Sequence, residues 1–217
     1  MLGRPFQIAR VSGIGVEIHP SWFIIIAFVV WSLSTTFLPN QYEGWSDFSY
    51  WAVGAISAAL LWAAVFIHEF SHAIVARRRG LEVPRITLFI FGGMTHLVQQ
   101  TRSAGEEFAV AISGPLVSGL GAGVFGLGYA LARGGPDQIE ALLGFLALVN
   151  LMLALFNILP GFPLDGGRVL RSIAWKRSRS FRKATRFSGS VGEAFGWAIV
   201  FTGVVVAPVV SIASIGT

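Results

Sequence analysis

Apolar residues run along this chain in long blocks rather than on one stripe of an otherwise polar helix. Five blocks, near 21–38, 51–76, 107–132, 139–160 and 187–207, approach the crossing length of a bilayer, for which a helix needs roughly 20 residues. The residues after Pro208 read as the start of an incomplete sixth span. Between the second and third blocks, Pro84 and Gly92-Gly93 break the pattern, and Arg85-Ile-Thr-Leu-Phe-Ile-Phe91 is rich in β-formers. A short strand or a packed interfacial loop is predicted there, buried against protein because bare backbone is not tolerated in lipid. The expected fold is therefore an all-α polytopic membrane protein. It has about five to six transmembrane helices, with a small β element after the second, in one domain over 1–217.

Composition supports the lipid reading. Of the 217 residues, 54% are hydrophobic and only 12% charged, against roughly a quarter charged in a soluble domain. The absence of Cys excludes disulfides, thiolate metal sites and thiol chemistry. A net charge of +5 fits an anionic lipid surface in so apolar a chain, and no nucleic-acid partner is expected. No cleavable signal peptide is expected, because the first apolar block follows an amphipathic stretch without a clean small-residue cleavage site.

Charge also orients the spans. Arg4 and Arg10 precede the first block, Arg77-Arg78-Arg79 follow the second, and a dense basic stretch from Arg168 to Arg186 follows the fourth. The alternate loops are poor in cations. The positive-inside rule then puts the N-terminus and the basic loops in the cytoplasm. In the third block, Gly119-x-x-x-Gly123 has the spacing for close helix–helix approach, read here as packing within the chain.

Chemistry concentrates in the second block. His68 and His72, four residues apart, project from one face of a helix and can share a metal ion, with Glu69 between them able to act on water. Unpaired ionisable groups at mid-membrane cost on the order of 2.5–3.5 kcal/mol each, so this cluster demands a compensating partner such as zinc. Counting from Arg77, His72 sits roughly 7–8 Å below the cytoplasmic interface at 1.5 Å per residue. A catalytic zinc generally takes three protein ligands and keeps one open position. Glu106, Glu107, Glu140 and Glu193 are candidates for the third ligand, but Asp165 is the better choice. It follows Asn157-Ile-Leu-Pro160-Gly-Phe-Pro163-Leu164, which must break the fourth span at a similar depth. A plain interfacial turn capped by Asp165 is the alternative.

His68-Glu69-Phe70-Ser71-His72, with Asn157-x-x-Pro160-x-x-Pro163-Leu164-Asp165-Gly166-Gly167, resembles the site-2 protease family of intramembrane metalloproteases. Gly13-Ile14-x-Val16-Glu17-Ile18-His19, Phe91-Gly92-Gly93 and Ser113-Gly114-Pro115 extend the likeness over nearly the whole chain. The resemblance implies a three-helix catalytic core and one Zn²⁺ per chain held by His68, His72 and Asp165, with Glu69 as general base. Asn157, Gly92, Gly93 and His96 are the expected contributors on the substrate or oxyanion side. His96, like His19, also reads as a hydrogen-bonded interfacial anchor. No connection has room for an inserted PDZ domain, so the chain resembles the compact branch, whose members often carry regulatory domains after the last span. The implied substrate is a transmembrane segment of a single-pass protein, such as an anti-sigma factor, cut within a cell membrane. An exposed strand within 85–91 is expected to hold that substrate by β-addition. Two other readings are a membrane-surface zincin with a glutamate as third ligand and a metal carrier. The latter would need polar residues strung along several spans.

Overall fold

The structure, a computed structural model, describes residues 3–215, with side chains as far as Val204. It divides into two compact units: residues 1–101 with 113–156, and residues 102–112 with 157–217.

The first unit opens with a hairpin, β1 (Phe6–Val11) and β2 (Ile14–Ile18). Its two turn residues, Ser12 and Gly13, both have positive φ, 50° and 78°, as a type I′ turn requires. Helix α1 (Ser21–Ser32) continues through a π-helical segment, Leu33–Phe37, into the short α2 (Leu38–Gln41). Next comes α3 (Asp47–Arg78), a 32-residue helix. The Ser46 side chain accepts from the Ser49 N–H at 3.2 Å, Asp47 lies in the first turn and Arg77 and Arg78 in the last, all matched to the helix dipole. It ends in a Schellman motif, with Leu81 N–H on Ala76 C=O at 3.1 Å and Gly80 N–H on Arg77 C=O at 2.9 Å. Gly80 supplies the positive φ of 78° that the motif needs.

Strands β3 (Arg85–Phe89) and β4 (Gly92–His96) complete a four-stranded sheet of order β1-β2-β3-β4. The β2–β3 pair is parallel and the other two are antiparallel. Ile14, Val16, Ile18, Ile86 and Leu88 are buried, and the sheet packs on α3. The strand at 85–91 thus forms, but it lies between β2 and β4 with both edges paired. The expectation that it presents a free edge is corrected: the open edges belong to β1 and β4.

Helix α4 (Ala104–Ala132) starts beyond Ser103, whose hydroxyl accepts from Glu106 N–H at 3.2 Å. Helix α5 (Asp137–Ile158) ends where Pro160 forbids another turn. In the second unit the chain restarts as α6 (Asp165–Ser178), which packs on α7 (Phe181–Ile215). Among the described residues, four helical segments are long and apolar enough to cross a membrane: Ser21–Gln41, Asp47–Arg78, Ala104–Ala132 and Asp137–Ile158. The expected fifth span, 187–207, falls within α7, and the residues expected to open a sixth continue the same helix. Side chains beyond Val204 lie outside the described residues.

Candidate metal centre

Helix α3 buries both His68 and His72, 4% and 3% exposed. Their rings stand edge to face, 5.0 Å apart, with the Nε2 atoms 3.4 Å from each other. Two nitrogens bound to one tetrahedral zinc at about 2.0–2.1 Å lie about 3.3–3.4 Å apart, so the pair is already at ligand spacing. The Nδ1 atoms face the other way. That of His68 meets Ser118 Oγ at 2.9 Å and that of His72 meets Ser113 Oγ at 3.2 Å. With Nδ1–H donating to a hydroxyl, each Nε2 lone pair is left for a metal.

Gly114 lies between those two serines on α4. A Cβ there would stand 2.6 Å from Nε2 of His68 and against Nε2 of His72 as well, occupying the space a metal ion needs. Sequence reasoning noted Ser113-Gly114-Pro115 only as part of a resemblance and missed Ser118. The readable signal was small residues on an otherwise bulky apolar helix.

Glu69 points toward the sheet rather than toward α4. Thr95 Oγ1 on β4 donates to Glu69 Oε2 at 2.8 Å. A Cβ on Gly93 would crowd Glu69, 3.1 Å from its Cδ, so glycine permits the strand to lie against the carboxylate. Gly92, with φ 129°, opens the strand with nothing within 4 Å of a hypothetical Cβ.

His96 follows Thr95 and falls on the opposite face of the strand. Its Nε2 meets Thr87 Oγ1 at 3.0 Å, and that hydroxyl donates to Glu17 Oε2 at 3.1 Å. Burial first, then Arg85, lowers the His96 pKa below its usual value, against the raising effects of Glu17 and Glu69. His19 meets Ser21 Oγ at 2.8 Å and accepts from Ser21 N–H at 3.2 Å, which ties down the start of α1.

The second unit sets Asp165 as the first residue of α6, after a compressed loop. A Cβ on Gly166 would strike the carbonyls of Ile158 and Leu159, and one on Gly167 would lie 2.7 Å from Gly161 C. Ser188 Oγ donates to Gly167 C=O at 2.6 Å, fastening this turn to α7. Arg171 Nε donates to the fully buried Glu107 at 2.8 Å. The guanidinium sits 5.0 Å from the Phe162 ring and 4.8 Å from that of Phe181. Asn157 is half-buried in the last turn of α5. Glu106 accepts from Arg102 N–H at 2.5 Å, and Glu107 accepts from Arg171 through Oε1 alone.

One ligand atom each from His68, His72 and Asp165 lie within 4.8 Å of one another. Two imidazoles and a carboxylate are a donor set suited to zinc, and these three residues are positioned to hold one such ion. The profile of Peptidase family M50 matches residues 56–134 and 135–199, which contain all three. The chain belongs to peptidase family M50, the site-2 proteases.

Within that family it is 38% identical over 205 residues to sll0528 of Synechocystis, named as a candidate zinc metalloprotease, covering 93% of this chain and 52% of the relative. It is 30% identical over 207 residues to the zinc metalloprotease MJ0392 of Methanocaldococcus jannaschii, covering 91% and 53%. The chain thus spans about half the length of these relatives. The solved site-2 protease from Methanocaldococcus jannaschii shares the fold. Its TM-score is 0.62 at 24% identity, over 95% of this chain and 88% of that one. This M50 chain, with its long apolar helices, is a multi-pass membrane protein.

Proposed function

We propose that the chain is the catalytic part of an intramembrane zinc metalloprotease that hydrolyses a peptide bond in or near a transmembrane segment of another protein. The observation that carries this reading is the pair of Nε2 atoms 3.4 Å apart on an apolar helix, with Glu69 on the same helix hydrogen-bonded by Thr95 of β4. Zinc, when bound, supplies Lewis-acid polarisation of a carbonyl and makes water a nucleophile near neutral pH. His68, His72 and Asp165 would hold it, and Ser118 and Ser113 fix the imidazoles. Glu69 takes the proton from the attacking water and passes it to the leaving amine. Because Thr95 donates to Oε2, the other carboxylate oxygen is left for that proton. Asn157 is assigned to the substrate or oxyanion side.

A substrate helix shields its own carbonyls and must be extended before attack. The unpaired edge of β4 (Gly92–His96) offers main-chain partners for an extended peptide, and the same strand contacts Glu69 through Gly93 and Thr95. β-Addition there supports presentation of the scissile bond beside the carboxylate. Gly92 and Gly93 then serve through their backbone, while His96 braces the strand from its other face. The charge pattern supports a cytoplasmic N-terminus and a cytoplasmic active-site side. A single-pass protein such as an anti-sigma factor is the proposed partner.

Glu69→Gln is the test. We expect the purified variant to keep its zinc, measured by elemental analysis, and to lose at least about 100-fold in cleavage of co-expressed single-pass proteins. Unchanged cleavage would overturn the assignment.

A further inference from the structure

The α6–α7 hairpin carries a second feature, outside the metal centre. From Arg168 to Arg186 it places eight cations and no carboxylate. Arg171 is committed to Glu107, whereas Arg177 and Lys183 form no ion pair among the described residues. Positive-inside topology accounts for a basic stretch but asks nothing of its shape.

Here the shape is specific. A cleft of about 500 Å³ opens between the two helices, with Arg177 and Lys183 on its wall. On α6 the lining residues Leu170, Ile173 and Arg177 follow one another at helical spacing, and on α7 Lys183 and Phe187 do the same. Both rows run from a cation near the hairpin turn to apolar residues farther along. Ile173 and Phe187, 41% and 52% exposed, leave apolar surface open in the cleft. Helix α7 changes character at the same level. From Phe187 to Ile215 its sequence has no Lys or Arg, and Trp197, Ile199, Val200 and Phe201 face outward. The cationic end therefore gives way to a stretch whose one charged residue is Glu193 and whose apolar side chains face outward, an arrangement suited to the level of lipid headgroups.

We propose that this cleft binds one anionic phospholipid. The phosphate sits between Arg177 and Lys183, and an acyl chain lies along Leu170, Ile173 and Phe187. A graded, two-helix cleft with paired cations at one end and apolar walls at the other matches that molecule. A soluble anion would leave the walls unused.

Native mass spectrometry of the intact chain in detergent tests this, with phosphatidylglycerol, phosphatidylcholine or inorganic phosphate added. We expect phosphatidylglycerol to be retained at least tenfold better than phosphatidylcholine and not to be displaced by millimolar inorganic phosphate. Each interfacial cation is worth about 1 kcal/mol, or roughly fivefold, so Arg177→Gln with Lys183→Gln should weaken phosphatidylglycerol by about 30-fold. Lys176→Gln with Arg179→Gln removes the same charge outside the cleft lining and should change retention less than threefold. Equal loss in both double variants would reduce the effect to diffuse charge and overturn the site. Displacement by inorganic phosphate would make it a free-anion site and overturn the lipid. Should the double variants fail to fold, equal retention of the two lipids by the unaltered chain would overturn the proposal by itself.

Discussion

The chain positions its three metal-site residues in two contrasting ways. His68 and His72 sit on regular α3, at a spacing the helix itself provides, and hydroxyls from α4 turn their rings. Asp165 sits after a broken segment whose backbone turns pack so tightly that Gly166 and Gly167 leave no room for a methyl group. The first arrangement is periodic and robust along the helix, and its weak point is the neighbour that comes too close. In the second, the weak point is the local backbone. Ligand geometry on a helix can thus be read from residue identities, whereas geometry on a compressed turn depends on which side chains are missing.

Gly114→Ala attacks the first arrangement most sharply. Alanine improves the intrinsic helix propensity by about 1 kcal/mol, so α4 should keep its helicity by circular dichroism. The new methyl nonetheless falls where Nε2 of both histidines converge. Zinc content should drop below a tenth of the unaltered value and proteolysis should vanish. Normal zinc loading would show that the α4 backbone stands too far from the imidazoles for a methyl group to reach them.

Gly166→Ala makes the corresponding change in the second arrangement, with a different signature. Its methyl meets the carbonyls of Ile158 and Leu159, which belong to backbone that cannot swing aside. The whole turn must shift, at a cost of about 3 kcal/mol, the upper range for overpacking. Loss of thermal stability should accompany loss of zinc here, whereas Gly114→Ala separates the two. Coincident behaviour of the two variants would erase the contrast.

That contrast also marks what the sequence made legible. His68 and His72 declared themselves by spacing, and Pro160 and Pro163 announced the end of α5 before Asp165. The strand at 85–91 was visible in its β-branched and aromatic residues. Its central place was not, because the partner strand β2 lies some seventy residues earlier and parallel pairing leaves no local signature. The hairpin Phe6–Ile18 did carry a signal, alternating Ile14, Val16 and Ile18 after a Ser-Gly turn. Next to long apolar blocks, so short an alternation is easily overlooked. Ser118 and the Arg171–Glu107 pair stayed hidden because their partners are 50 and 64 residues away.

Ser118→Ala probes the histidine half more gently. Without the hydroxyl, His68 keeps its place on α3 but loses the partner that fixes its ring and tautomer. Loss of such a support typically weakens metal affinity by about 10–100-fold. Competition with a zinc chelator should reveal this at unchanged helicity, and Ser118→Thr should restore most of it. Equal affinity in Ser118→Ala would mean that packing alone orients the ring.

The smallest expected effect lies on the sheet, where His96 faces Thr87 and the charges of Arg85, Glu17 and Glu69. Burial, followed by Arg85, lowers its folded-state pKa below the unfolded value of about 6.5. The unfolded chain therefore binds this proton more readily. Stability associated with neutral His96 is present above about pH 6.5 and declines as the pH falls through the folded-state value. His96→Gln retains a hydrogen-bonding group for Thr87 but cannot titrate, so its melting temperature should fall less between pH 7 and pH 5 than that of the unaltered chain. Parallel pH profiles for the two proteins would show that His96 gains its proton as easily in the sheet as in the unfolded chain. The lowered pKa, and with it the view of His96 as a neutral brace behind Thr95 and Glu69, would then be wrong.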